Sequence, residues 1–228
     1  MTKRNKRGKS KRAKQQQNGN QNMTYVLVAV IVVVVLGLIA VSSRGASSSG
    51  PDVSQDRLDL DPVFGNDQAT VTVVEYGAYA CTSCRAFHQA GVLEQLVEEY
   101  AGQVNFVFRD FPVISPAYDR MAANVAQCVL DQSEEHFWNF HNILYTVARP
   151  GISNEGELVR MASQIGVNSD LLQTCVDNDS HNQTVQYDEQ RARELGLRGT
   201  PSFIVNGQQV YNSSPDGLRS AINAALGL

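Results

Sequence analysis

No cysteine lies just after the one long apolar run of this 228-residue chain, so a lipid-anchored lipoprotein has no attachment residue. No acid precedes Met23, which leaves the first segment purely cationic. The four histidines, His88, His136, His141 and His181, show no metal-ligand spacing; His136 and His141 are five apart and point to different helix faces, so no metal site is expected. No convincing strand pattern occurs between Pro112 and Gly199, which makes the middle of the chain helical. No internal repeat is visible, which excludes a repeat architecture. Cysteine is scarce: Cys81, Cys84, Cys128 and Cys175 permit only three pairings.

What is present is 43% apolar, ordinary for a globular core, with room for one folded domain plus accessories. The formal net charge of -4 hides an asymmetry. Lys3, Arg4, Lys6, Arg7, Lys9, Lys11, Arg12 and Lys14 carry about +8, leaving about -12 on the remainder. From Tyr25 to Val41 every residue is apolar, tyrosine or glycine. With Met23 and Thr24 the run reaches about 19 residues, enough to cross a bilayer core of roughly 30 Å. A cleaved signal peptide is the alternative, since Ala40 and Ser42 fit a small-x-small pattern, but the run exceeds a usual h-region. The cationic block beside it fits the positive-inside rule and contact with anionic lipid, rather than nucleic acid. The expected organisation is a basic cytoplasmic tail over 1–22, a transmembrane anchor over 23–41, a flexible Ser/Gly linker over 42–60, and a folded extracytoplasmic domain over 61–228.

Within that domain Val71–Tyr76 is rich in β-branched residues and reads as a buried strand running straight towards Cys81. One helix is expected next, with Ala86, Ala90, Leu93, Val97 and Tyr100 as its apolar face and Gly102 as its stop. Val104–Phe108 supplies a second strand. Helical patterns follow over 118–131, 134–148, 154–165, 170–176 and 181–195. Pro201–Val205, Asn206-Gly207 and Gln208–Tyr211 read as a hairpin with a type I′ turn, and 215–226 as a closing helix. The order gives an α/β sheet with a helical domain inserted over about 116–196.

Cys81-Thr82-Ser83-Cys84 sits where a strand yields to a helix. A thiolate at a helix N-terminus is stabilised by unpaired N–H groups and the helix dipole, so Cys81 is the expected nucleophile and leaving group and Cys84 the buried resolving thiol. Two other readings compete: half of a zinc site, which lacks its remaining ligands, and an inert disulfide. A C-x-x-C beside a βαβ-like pattern favours redox chemistry. His88, one turn beyond Cys84, is read as a helix-surface residue, and Phe137, Trp138, Phe140 and Tyr145 as packing of the inserted domain.

Val73–Cys84, followed far downstream by Gly199-Thr200-Pro201-Ser202-Phe203-Ile204-Val205-Asn206-Gly207, resembles the DsbA-like thiol-disulfide oxidoreductases of the thioredoxin superfamily, membrane-anchored bacterial type, over roughly 61–228. The resemblance implies a thioredoxin-like fold with an inserted helical domain, preceded here by a single transmembrane helix. It makes Thr200-Pro201 the cis-proline loop that receives an extended substrate by strand addition. It places a buried acid, here Glu75, six residues before Cys81, suited to relay the Cys84 proton. The simplest pairing then joins Cys128 to Cys175 as a structural bridge outside the cytoplasm, a second redox centre being the alternative.

The implied function is disulfide formation in cysteine-containing secreted or surface proteins, without a cofactor, with reoxidation by a quinone-linked membrane partner. A reductase or isomerase of the same fold, and a tethered non-catalytic binding or sensor module, are the rival readings. The family often has proline and then histidine after the first cysteine; Thr82 and Ser83 stand there instead and predict a less extreme oxidant.

Overall fold

The computed structural model describes residues 60–146 and 154–228. The expected basic tail, transmembrane anchor and all but the last residue of the linker lie outside the described residues. Among the described residues no helix is long and apolar enough to cross a membrane.

Five strands form one sheet in the order β1-β3-β2-β4-β5, comprising β1 (Val63–Gly65), β2 (Val71–Gly77), β3 (Val104–Asp110), β4 (Ser202–Val205) and β5 (Gln208–Val210). Central β2 runs parallel to β3 and antiparallel to β4, with Glu75 opposite Phe108 on one side and Phe203 on the other. Its side chains alternate between faces, as a pleated strand requires. Val71 and Val73 join Phe106, Phe203, Leu96 and Ile222 in one buried cluster, and Val74 and Tyr76 join Val107, Ile204 and Ala192 in another. The hairpin between β4 and β5 turns at Asn206 and Gly207, both with positive φ, and Asn206 Oδ1 accepts from Thr72 N–H at 2.9 Å. That is the backbone geometry a two-residue type I′ turn demands.

Strand β1 was not expected, because three residues are too few to show a period. Its pairing with β3 fixes it, and α4 (Glu134–Thr146) covers its outer edge. Val63 N–H donates to Glu134 at 2.6 Å, and Val63 O accepts from Trp138 Nε1 at 2.9 Å.

The single helix expected after Cys81 is instead two, α1 (Thr82–Gln89) and α2 (Val92–Glu99). Gly91, at φ 63°, takes the left-handed conformation that ends one helix and starts the next. The predicted apolar face holds only on α2, where Leu93 and Tyr100 are buried and Val97 packs against the core; Ala86 and Ala90 are exposed, and α1 buries Cys84 and Phe87 instead.

Between β3 and β4 lie α3 (Pro116–Leu130), α4, α5 (Glu155–Ala162), a single 3-10 turn at Ser163–Ile165, α6 (Ser169–Asp177) and α7 (Asn182–Glu194). Helix α3 is buried almost all round, its small Ala122, Ala123 and Ala126 letting neighbours approach closely. Helix α8 (Pro215–Leu226), capped by Ser214, closes the chain on the sheet through Leu218 and Ile222.

Candidate active site

Strand β2 ends at Gly77, where a Cβ would stand 2.4 Å from the Phe108 ring, so only glycine lets the chain pass. Four residues on, Cys81 forms the N-cap of α1 and its Sγ accepts the Cys84 N–H at 3.2 Å. This is one of the helix's otherwise unpaired donors, aimed at the sulfur. On the opposite side the Cys81 thiol donates to the Thr200 carbonyl at 3.2 Å. The Thr200-Pro201 bond is cis and precedes β4, so a chain segment 119 residues distant in sequence lies against the first cysteine.

Both thiols are free in this structure. Both sulfurs are buried, and their hydrogen-bond and electrostatic surroundings separate their chemistry. The hydrogen bond between the two sulfurs does most to lower the Cys81 thiol to about 6, against its burial, with Thr200 and the N–H groups of Cys84 and Ser83 contributing. Burial drives the Cys84 thiol far up, reinforced by Cys81 and by the Glu75 charge. One sulfur is therefore a ready thiolate, and the other holds its proton until a base removes it.

Glu75 is 1% exposed and has the same parity on β2 as Val73, facing the layer that carries α1. His88 Nε2 lies 3.2 and 3.1 Å from its two carboxylate oxygens. The surface position read for His88 from the sequence is wrong: its side chain is only 5% exposed and turns inward onto the buried Glu75 carboxylate. His88 also stacks on Tyr145, with centroids 4.5 Å apart and planes at 8°.

Ala86 and Ala90, missing from the core, line a groove of about 410 Å³ with Phe87, Thr200, Pro201 and Pro215. Apolar periodicity on α1 thus marks a surface beside the reactive sulfur as well as a packed face.

Cys128 and Cys175, from α3 and α6, are joined by a disulfide far from Cys81 in sequence. Cys128, Cys175 and His181 lie within 4.8 Å of one another, but both sulfurs are committed to that bond. Asp119 was not singled out in the sequence. It is 1% exposed in the first turn of α3; Oδ1 accepts from Ala80 N–H at 2.8 Å, and Oδ2 from Ser115 and Ile114 N–H at 2.8 and 3.2 Å. An acid early in a helix is a common sequence feature, and nothing local points it at residue 80.

Comparison with known proteins agrees with this geometry. A family model described as Thioredoxin matches residues 58–224. The chain is 31% identical over 170 residues to the probable disulfide bond formation protein D of Bacillus anthracis, covering 72% of this chain and 77% of that protein. It is 33% identical over 174 residues to a putative protein-disulfide oxidoreductase of Rickettsia prowazekii, covering 74% and 62% respectively. The crystal structure of oxidised BdbD from Bacillus subtilis superposes with a TM-score of 0.65 at 26% identity, over 75% of this chain and 95% of BdbD. The fold is thus thioredoxin-like with a helical insertion, and the chain belongs to the thioredoxin family as a DsbA-like enzyme, a protein thiol-disulfide oxidoreductase.

Proposed function

We propose that the enzyme works outside the cytoplasm, tethered by residues 23–41, and introduces disulfides into secreted or surface proteins through Cys81 and Cys84. The observation that carries this reading is Cys81 Sγ at the N-cap of α1, facing both the Cys84 N–H and the Thr200 carbonyl. A substrate thiolate attacks Cys81 Sγ of the disulfide form; the Cys81–Cys84 bond breaks, and Cys84 departs with the electron pair and takes up a proton. The substrate's second thiolate then attacks the substrate sulfur of the mixed disulfide and expels Cys81, a good leaving group with its thiol lowered to about 6. The substrate leaves oxidised and the enzyme leaves as the dithiol.

The backbone at Thr200-Pro201 would pair with an extended substrate segment, and the groove through Ala86, Phe87 and Ala90 would take its apolar side chains. Glu75 would take and return the Cys84 proton. Cys128–Cys175 would staple the inserted helices. A quinone-linked membrane protein would reoxidise the dithiol.

The test is Cys84→Ser in cells, quenched by alkylation. Secreted and surface proteins should be trapped in disulfide linkage to Cys81 and released by reductant, and a Cys81→Ser, Cys84→Ser double variant should trap none. Trapping of cytoplasmic proteins alone, or of nothing, contradicts the reading.

A further inference from the structure

We propose that His88 exchanges the Cys84 proton between Glu75 and solvent, with His141 as the tautomeric partner that holds it in register for the transfer. This rests on the exchange role proposed above for Cys81 and Cys84, and assigns two residues that role does not use.

Both oxygens of Glu75 lie within 3.2 Å of His88 Nε2, and the same nitrogen lies 3.5 Å from His141 Nε2. His141 Nδ1 lies in turn 3.2 Å from the Tyr79 hydroxyl. A carboxylate, two imidazoles and a phenol thus form one continuous chain, and the carboxylate at its head is close enough for its charge to push the Cys84 thiol up. His141 is 1% exposed, and burial together with the neighbouring His88 keeps it neutral. A neutral imidazole between two polar partners carries its hydrogen on either nitrogen. With the hydrogen on Nδ1 it donates to Tyr79, and its Nε2 lone pair faces a His88 Nε2–H. With the hydrogen on Nε2 it accepts from the Tyr79 hydroxyl and faces a His88 lone pair. His141 therefore accommodates both states of the nitrogen that meets Glu75, and imidazole is the side chain that gains and loses a proton near neutral pH.

Among the described residues, the charged and titratable groups around His88 are Glu75 from β2, His141 and Tyr145 from α4, and Cys84 and Arg85 on its own helix; Arg85 Nη1 is held by the Tyr145 carbonyl at 2.6 Å. The parallel Tyr145 ring at 4.5 Å fixes the plane of the His88 imidazole. His88 is partly exposed as a residue whereas Glu75 is buried, which makes His88 the outward member of the pair.

When a mixed disulfide at Cys81 closes, the Cys84 S–H proton passes to Glu75. The Cys84 thiolate attacks Cys81 Sγ, the Cys81–Cys84 bond forms, and the partner sulfur departs as a thiolate. Glu75 then passes the proton to His88 Nε2, and His88 releases one from Nδ1. Reduction of the enzyme runs the same path inward. His88 acts on Cys84 only through Glu75, and His141 only through His88; both are positioning residues.

The experiment uses the full-length dithiol enzyme, mixed with oxidised glutathione and followed by acid quench and mass spectrometry. This resolves adduct formation at Cys81 from closure by Cys84. In His88→Gln, closure near neutral pH should slow by roughly tenfold or more and acquire a steeper dependence on hydroxide, with adduct formation unchanged. Equal slowing of both steps, or an unaltered closure profile, overturns the proposal. A readout needing no variant follows the nitrogen resonances of 15N-histidine-labelled wild-type protein. The His88 titration and the His141 tautomer balance should both change between the dithiol and disulfide forms, and redox-independent resonances overturn the relay. Failure of wild-type Cys81 to form any adduct overturns the exchange role and the relay with it, whereas an adduct that closes normally in His88→Gln overturns the relay alone.

Discussion

The Asp119 carboxylate accepts a 2.8 Å hydrogen bond from the N–H of Ala80, the residue directly before Cys81. Its other oxygen holds the N–H groups of Ile114 and Ser115, so one side chain ties the inserted domain to the loop that presents the nucleophile. Truncation leaves three backbone donors without it in a largely buried setting. Asp119→Ala should lower unfolding free energy by about 2–3 kcal/mol, and Asp119→Asn by less. Denaturant titration checks this, and an unchanged midpoint for Asp119→Ala contradicts the anchoring role.

The reactivity of Cys81 depends first on its neighbour. The Cys84 thiol does most to bring Cys81 to about 6, so Cys84→Ala should move the Cys81 titration upward. Thiolate absorbance or the pH dependence of alkylation measures the shift. A Cys81 titration unaltered by Cys84→Ala would mean that Thr200 and the helix N–H groups set the thiolate without Cys84.

Asp110 is 3% exposed and raised to about 7 by burial, with its Oδ2 accepting from Gln127 at 3.0 Å. Asp188, whose Oδ2 accepts the Asp110 N–H at 3.2 Å, is likewise raised by burial. A carboxyl raised in the folded state binds more protons there than when unfolded. Its contribution is present in full below the unfolded value near 4 and is lost as pH rises through about 7. Stability should therefore fall over that window by a few kcal/mol, opposite to the trend from a salt-bridged carboxylate. Asp110→Asn should flatten the slope, and equilibrium unfolding at several pH values reads it.

The Cys128–Cys175 bond closes a loop with a sequence separation of 47. Replacing both cysteines by alanine should cost about 4 kcal/mol in the chain-entropy model. Exchange by Cys81 in the surviving folded fraction should persist. Loss of exchange with stability retained would instead identify the bond as a second redox centre.

The elements with strong local signals were readable from sequence. β2 announced itself by Val71–Tyr76, the hairpin by Asn206-Gly207, and the inserted helices by apolar periodicity, because each signal is carried by residues adjacent in the chain. What escaped depended on contacts across the chain. β1 exists because β3, Glu134 and Trp138 complete its hydrogen bonds. The α1–α2 break turns on one glycine that helical spacing alone tolerates. In the site, the C-x-x-C and the Thr-Pro before a strand are compact signatures. Asp119, His88 and His141 reach their places only after α1, α3 and α4 have docked, so no spacing along the sequence groups them.

Equilibrium titration of the full-length enzyme in glutathione buffers decides whether Cys81 and Cys84 form an oxidising exchange centre. A Cys81 thiol near 6 lies between the values of thioredoxin, about 7, and of DsbA, about 3.5. The reduction potential should accordingly fall between about -270 mV and about -120 mV, on the oxidising side of thioredoxin. A potential at or below thioredoxin's would contradict the oxidase reading and make the enzyme a reductase.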